Sequence, residues 1–192
     1  MATVHLQHAF TEPMRSASHT WMIVALNVIG CQDLGPAILE GTIIVFVGAQ
    51  KRTAIHFQIR APVPFKILTV RDAKAAPFAM TKSGVGWCTN MRLPSADGFL
   101  QEFLLLVQRQ QPNYIVTKGT LQMGILERCL QNHNLNIPVF DAQDVGMPKF
   151  EDYPTQSATL CRSHESAIDS VSTYCTNQRA AQITHYCLNN WI

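Results

Sequence analysis

Runs of apolar residues separated by turn-forming residues predict three strands in the first part of the chain. The segments 21–27 and 42–47 are continuous apolar runs of strand length, and 53–59 alternates between apolar and polar positions. Glycine and proline mark turns between them, at 30–36 and at 48–52. Because connections this short join antiparallel neighbours, the pattern predicts an antiparallel meander of three strands.

Helical periodicity dominates the second part of the chain. Apolar residues recur at helical spacing after Ser95 and Asp97, both suitable helix N-caps, and again after Gly119. The short apolar segments 114–117 and 137–141 flank the second of these helices and predict two parallel strands joined by a helical crossover. A last helix is predicted over 177–190.

Two stretches of the chain lack a sustained period. Proline residues at 62 and 64 remove ladder donors and end the third strand, and 66–94 is predicted to be a long irregular region in which only 66–70 resembles a short strand. Residues 1–20 are interpreted as a flexible N-terminal arm. A single domain is predicted over 21–192, which is long enough to bury a core of its own.

Composition limits the classes of partner. Only 15% of the 192 residues are charged and the formal net charge is +2. This charge is compatible with a nucleic-acid partner but does not require one. No apolar run approaches the roughly 20 residues that cross a bilayer, and 1–20 lacks the uninterrupted apolar core of a secretory signal. We therefore expect an intracellular protein, cytoplasmic or nuclear, whose six cysteines are free or metal-bound.

A metal-ligand spacing is present near the end of the chain, in Cys161, His164 and Cys175. Thiolate and imidazole are preferred ligands of a structural zinc ion, and a Cys-x2-His pair brings two of them into one turn. The spacing leaves the fourth ligand open, with His185 and Cys187 nearby in sequence. The alternative is that these cysteines are small buried side chains that pack beneath a helix.

A loose concentration of basic residues begins at the third predicted strand. Between 51 and 82 the only acid is Asp72, so this surface is suited to a phosphate backbone, although a solvated rim is an equal alternative. Trp21 and Trp87 can stack on bases, but single tryptophans more often belong to the core or to interfaces. The basic residues are Lys51, Arg52, Arg60, Lys66, Arg71, Lys74 and Lys82.

The order of predicted elements resembles the ribonuclease H-like fold, an α/β mixed sheet in which an antiparallel meander and parallel strands are flanked by helices. Within that fold, the strand-to-helix junction at 114–119, the segment 139–148, and the Cys161-x2-His164 pair with its later cysteine resemble a divergent exonuclease domain. The class is the DEDDh one, with four acids and a histidine, and the branch is the Maelstrom-type one. The resemblance covers most of 21–192.

The resemblance implies four acids that hold two divalent cations for phosphodiester hydrolysis. The sequence departs from this pattern on the first strand, where Asn27 stands, and after Gly119, where 121–123 contains no acid. We expect no intact magnesium site, because an amide cannot replace a bridging carboxylate. His164 and Asp169 fit the family's histidine-x4-aspartate pattern and would be catalytic if the domain is active.

For the Maelstrom-type branch, the resemblance implies a Glu-Cys-His-Cys set, whose last three members correspond to Cys161, His164 and Cys175. Its glutamate belongs near Val28, where this sequence has no acid and Asp33 is the nearest along the chain. We therefore expect a catalytically degenerate domain that binds RNA or a protein partner, in a small-RNA or silencing role, with a structural zinc. The alternatives are an active Maelstrom-like nuclease that cleaves single-stranded RNA, and an interaction module without a nucleic-acid role.

Overall fold

One mixed sheet organises the protein, whose computed structural model describes residues 19–83, 86–152 and 175–191. Five strands lie in the order β3-β2-β1-β4-β5. The predicted antiparallel meander is formed by β1 (Thr20–Gly30), β2 (Pro36–Val47) and β3 (Gln50–Gln58). The parallel strands are β4 (Tyr114–Thr117) and β5 (Val139–Asp141), with β4 beside β1. The three predicted meander strands, the two predicted parallel strands and their arrangement are confirmed.

Helices cover both faces of the sheet. Two of them, α2 (Ala96–Gln110) and α3 (Thr120–Asn132), pack on the face that receives the even-numbered residues of β1. The last helix, α4 (Thr176–Trp191), packs on the face that receives the odd-numbered residues. Burial on both faces explains why β1 is a continuous apolar run rather than an alternating one.

The region 66–94 differs from its prediction. A 3-10 turn occupies Phe65–Ile67, and a helix, α1, runs over Val70–Ser83, so there is no strand at 66–70. Asp72, in the first turn of this helix, accepts hydrogen bonds from the backbone amides of Gln32 at 2.8 Å and Leu34 at 3.1 Å. The helix was missed because Pro77 stands inside it, and proline is normally a helix-breaking signal.

Local sequence signals set the ends of the other helices. Ser95 is the N-cap of α2, as predicted, and its Oγ accepts a hydrogen bond from the Gly98 amide at 3.1 Å. Gly119 precedes α3 with φ of 114°, a backbone conformation that favours glycine. None of the described helices combines the length and the apolar character that a membrane crossing requires.

A close approach fixes the packing of α2 on the sheet. Gly41 of β2 lies against the Phe99 ring, and a Cβ atom at this position would stand 2.6 Å from two ring carbons. Phe99 is fully buried, in edge contact with Phe57 at a centroid distance of 5.4 Å. The absence of a side chain at Gly41 therefore lets the aromatic ring seat directly on the strand.

Asn27 stands between two apolar clusters on the face of β1 that α4 covers. The residues before it on this face, including Ile23 and Ala25, pack with α4. The residues after it, including Ile29 and Cys31, pack in a separate cluster with Ala76 of α1. A polar side chain is thus placed at the centre of an otherwise apolar face, next to a register shift in β1.

Candidate functional site

An amide and a carboxylate meet in the interior at the middle of the sheet. Asn27 of β1 and Glu40 of β2 are direct partners in the antiparallel ladder. Asn27 Nδ2 donates a hydrogen bond to Glu40 Oε2 at 2.8 Å, and Glu40 has no exposed surface. Burial of a charged carboxylate is costly unless hydrogen bonds and positive charge compensate it. The neighbours of Glu40 therefore decide whether its carboxylate can stay charged.

The start of α4 supplies two of these neighbours. The backbone amide of Thr176 donates to Glu40 Oε2 at 3.3 Å, and the Cys175 thiol donates to Glu40 Oε1 at 3.8 Å. A helix N-terminus carries a partial positive charge and favours a carboxylate at this position. The first turn of α4 is therefore tied to β2 through Glu40.

Arg179, one turn further along α4, adds a cation to this network of hydrogen bonds. Arg179 Nη1 donates to Asn27 Oδ1 at 2.9 Å, so the Asn27 side chain links a guanidinium to the Glu40 carboxylate. The guanidinium also lies over the Phe150 ring, 5.1 Å from its centroid. Lys118, which follows β4, places its Nζ 5.5 Å from the same centroid. Two cations thus contact the Phe150 ring, and one of them is hydrogen-bonded to Asn27.

His56 of β3 connects this network to the surface. Its Nε2 lies 3.3 Å from Glu40 Oε1, and its side chain is 20% exposed. Its Nδ1 lies 2.9 Å from Thr42 Oγ1 and 3.3 Å from Thr176 Oγ1, and these two hydroxyls are 2.8 Å apart. The imidazole is therefore a part of the site that solvent reaches.

Other carboxylates have local structural roles. Asp141 accepts hydrogen bonds from the Gly119 amide at 3.0 Å and the Gln143 amide at 2.9 Å, which fixes the start of α3. Asp33, the nearest acid to Val28 along the chain, accepts from Thr69 Oγ1 at 2.6 Å in an exposed turn. Within the described ranges, no group of three or more His, Cys, Asp or Glu side chains is arranged to hold a metal ion.

The predicted zinc ligands are only partly described. Cys161 and His164 lie outside the described residues, as does the proposed catalytic Asp169, whereas Cys175 is buried against Glu40. The nearby candidates for a fourth ligand lie ten or more residues further along α4, about 15 Å at the helical rise. Glu40 contacts Cys175 directly, and the fourth ligand stays a prediction.

Buried thiols in the sheet and helices are not activated nucleophiles. Burial raises the pKa of the Cys187 thiol well above its ordinary value and also raises the pKa of Cys129. The pKa of Cys31 is raised by burial and by the charge of Asp72. These thiols are neutral at physiological pH, which argues against thiolate chemistry at these positions.

The basic residues lie along β3 and around α1. Lys51 and Arg52 are exposed on β3, the edge strand of the described sheet. Arg60 Nη1 donates to Met91 Sδ at 2.8 Å. The remaining members lie on the 3-10 turn or on α1, with Lys66, Arg71 and Lys74 exposed and Lys82 placed by its backbone. Lys51 and Arg52 stand at the other end of the extended β3, roughly 25 Å from Arg60, so they lie apart from the rest. We call Arg60, Lys66, Arg71 and Lys74 the basic surface.

The two tryptophans considered for base stacking have different environments. Trp21 is fully buried, lies 4.3 Å from the Phe46 ring between centroids, and donates from Nε1 to the Gly48 carbonyl at 2.8 Å. It is a core residue and does not contact bases. Trp87 is partly buried beside the basic surface.

Sequence reasoning missed the central residues of this site. Glu40 stands inside the apolar strand 37–46, and a carboxylate in such a run was a usable signal for a buried polar contact. Arg179 gave no comparable signal, because a single arginine on an amphipathic helix is usually solvated. The pairing of Asn27 with Glu40 depends on the register of β1 and β2, which the sequence pattern does not specify to the residue.

Comparison with known proteins gives matches only at the level of structure. No protein-family model and no curated protein sequence matches the chain. It is similar to E. coli exonuclease I in complex with a dT13 oligonucleotide, with a TM-score of 0.55, 11% identity, and coverage of 89% of this chain and 41% of that one. A product-bound exonuclease I gives a TM-score of 0.54, 10% identity, and coverage of 91% and 44%.

The chain has a ribonuclease H-like exonuclease fold. The likeness supports the α/β mixed-sheet fold that the element order predicted. The chain spans less than half the length of the exonuclease I chains that it resembles. At about a tenth identity, the likeness concerns the fold and leaves activity to be argued from the residues.

Proposed function

We propose that this domain binds single-stranded nucleic acid, with RNA as its natural ligand, and is catalytically degenerate. The observation that carries the proposal is the hydrogen-bonded chain from Arg179 through Asn27 to Glu40. A two-metal nuclease needs several carboxylates around its cations, since both the attacking and the leaving oxygen must be stabilised. Here the centre contributes an amide, one carboxylate and a protein cation.

Electrostatics gives the reason that this chain disfavours a magnesium pair. The guanidinium of Arg179 already places a positive charge next to Asn27, and Glu40 is compensated through the amide. A divalent cation in the same place would meet like-charge repulsion and would gain only one carboxylate. The described donors therefore do not fit the metal pair of an active exonuclease.

A zinc ion fits the chain better. The Cys175 thiol and the Glu40 carboxylate adjoin each other in the interior, and both groups ligate zinc when deprotonated. Together with Cys161 and His164, they would give a Glu-Cys-His-Cys set like that of the Maelstrom-type branch, with Glu40 on β2 in place of a glutamate near Val28. The proposal includes that branch and a small-RNA or silencing role. A structural zinc would tie the start of α4 to β2.

The nucleic-acid part of the proposal rests on charge and on exposure. Three of the four cations of the basic surface are exposed, and Asp72, the acid in the same part of the chain, is buried by its contacts to a turn. The E. coli exonuclease I to which the fold is similar was solved with a dT13 oligonucleotide. Surfaces of this kind bind a phosphate backbone without requiring a particular base sequence.

The proposal is tested by measuring binding, metal content and cleavage on one preparation. We expect a labelled single-stranded oligo(U) to bind, with an affinity that falls as salt rises from 50 to 200 mM. We expect about one zinc per chain by elemental analysis, and no zinc in a variant that combines Cys161→Ser with Cys175→Ser. A protein that binds no single-stranded oligonucleotide at low salt would overturn the proposed function.

A second function is favoured by one contact. His56 Nε2 lies 3.3 Å from Glu40 Oε1 and reaches solvent, so an acid-base pair is available without a bound metal pair. In this alternative, a Maelstrom-like nuclease cleaves single-stranded RNA in the presence of EDTA, and His164→Ala and His56→Ala both lose the activity. A purified protein that never cuts single-stranded RNA excludes it.

A further inference from the structure

An aromatic pair lies beside the basic surface. The Phe65 and Trp87 rings meet edge to face, with centroids 6.2 Å apart and an interplanar angle of 83°. Trp87 Nε1 donates to the Val63 carbonyl at 2.7 Å, which fixes the indole. Phe65 is 38% exposed, so its ring is held from one side and open to solvent on another.

Two exposed cations lie close to Phe65 along the chain. Lys66 follows Phe65 in the chain, and Arg71 lies on the first turn of α1, both with exposed side chains. The nearby acids are engaged by the protein itself. Asp72 is buried against two backbone amides, and the exposed Asp33 accepts a hydrogen bond from Thr69. These hydrogen bonds leave both carboxylates charged, so a phosphate is favoured only at the exposed side chains of Lys66 and Arg71.

The aromatic pair also lies at the end of β1 that carries the candidate site. Trp87 packs against a cluster that contains Ile29 and Cys31, and these residues follow Asn27 on the same face of the sheet. The rise of a strand is about 3.3 Å per residue, so the cluster begins roughly 7 Å beyond Asn27. Trp87 therefore packs against the apolar cluster that continues β1 beyond Asn27.

We propose that Phe65, held by Trp87, stacks against one base of a single-stranded nucleic acid while Lys66 and Arg71 contact its phosphates. The inference rests on the proposed function and names the part of the surface that holds the nucleic-acid strand. Bases in a duplex are already stacked on each other, so an isolated aromatic platform selects unpaired bases. Aromatic stacking tolerates any base, which gives binding without sequence specificity.

The test compares three variants on fluorescein-labelled oligo(U), oligo(dT) and a duplex. Phe65→Leu keeps an apolar side chain but removes the ring, and we expect binding of both single strands to weaken about tenfold with an unchanged salt slope. Lys66→Ala should lower the slope of log K against log salt by about 0.7. Leu105→Ala, at an exposed leucine of α2, is the matched control and should bind like the wild type.

The outcomes separate this inference from the function on which it rests. If the wild type binds no single strand, the proposed function itself fails. If the wild type binds and a folded Phe65→Leu variant binds equally well, the stacking platform is wrong and the proposed function stands. Equal affinity of the wild type for duplex and single strand also overturns the platform, because a duplex offers no free base to stack.

Discussion

Arg179 Nη1 and Asn27 Oδ1 are 2.9 Å apart, in a hydrogen bond that joins α4 to the central strand of the sheet. Through Asn27 Nδ2, the same amide reaches the buried carboxylate of Glu40. A guanidinium is always charged, so it compensates the carboxylate without a bound metal ion. The relationship accounts for both the stability of a buried acid and the proposed loss of two-metal catalysis.

Removal of the Arg179 charge should destabilise the fold. Arg179→Met keeps much of the packing on Phe150 but leaves Glu40 without this counter-charge, and we expect a loss of roughly 3 kcal/mol in the free energy of unfolding. Urea denaturation at pH 7 measures it. Arg128→Met, at an exposed arginine of α3, should change stability by less than about 0.5 kcal/mol. Equal effects of the two substitutions would contradict the proposed network.

Restoration of acidity beside Glu40 should create a cation site. In a variant that combines Asn27→Asp with Arg179→Gln, two carboxylates adjoin in the interior without a guanidinium, and a divalent cation relieves their repulsion. We expect millimolar Mn²⁺ to raise the melting temperature of this variant by several degrees and to leave the wild type unchanged. An equal Mn²⁺ response in the wild type would show that the natural centre already binds the ion.

The contact between Gly41 and Phe99 predicts a local steric cost. Gly41→Ala places a methyl group 2.6 Å from the ring, and we expect a loss of about 2 kcal/mol in the free energy of unfolding. Gly30→Ala is the matched control, since a Cβ there meets no atom within 4 Å. The double variant with Gly41→Ala and Phe99→Leu should lose less stability than the sum of the losses measured for the two single variants. Strict additivity of the two changes would contradict the contact.

Buried thiols predict a loss of stability at alkaline pH. Burial raises the folded-state pKa of Cys187 above its ordinary value of 9.0, so above about pH 9 the unfolded chain loses this proton while the folded chain keeps it. The free energy of unfolding should then fall as pH rises, by up to about 1.4 kcal/mol per pH unit for this group. Urea midpoints from pH 7.5 to 10.5 measure the slope. Cys187→Ala should reduce it, and an unchanged slope would contradict the assignment.

Periodicity was sufficient for most of the fold because the strands and helices bury regular apolar faces. The strands around 21–27 and 114–117, and the helix after Ser95, are set by local patterns and a recognisable cap. The exception is α1, where an internal proline masked the helix. Here the tertiary contact of Asp72 with the turn between β1 and β2 stabilises a helix that the local sequence does not predict.

The candidate site was less predictable because it is assembled from distant segments. Cys175 was found because cysteines near a Cys-x2-His pair form a local ligand spacing. Glu40 and Arg179 act only through contacts across strands and between a helix and the sheet, and those contacts depend on register and packing. Sequence identified Asn27 as a missing acid but gave no indication of what it would contact.

Incubation of labelled single-stranded RNA with the purified protein in Mg²⁺, Mn²⁺ or EDTA, with binding measured in parallel, is the most direct test of the proposed function. The account predicts binding that weakens with salt and no cleavage in any of the three conditions. Cleavage that requires Mg²⁺ or Mn²⁺ and disappears in Asp169→Ala would contradict it, because that result requires a working metal centre in the cleft beside Asn27.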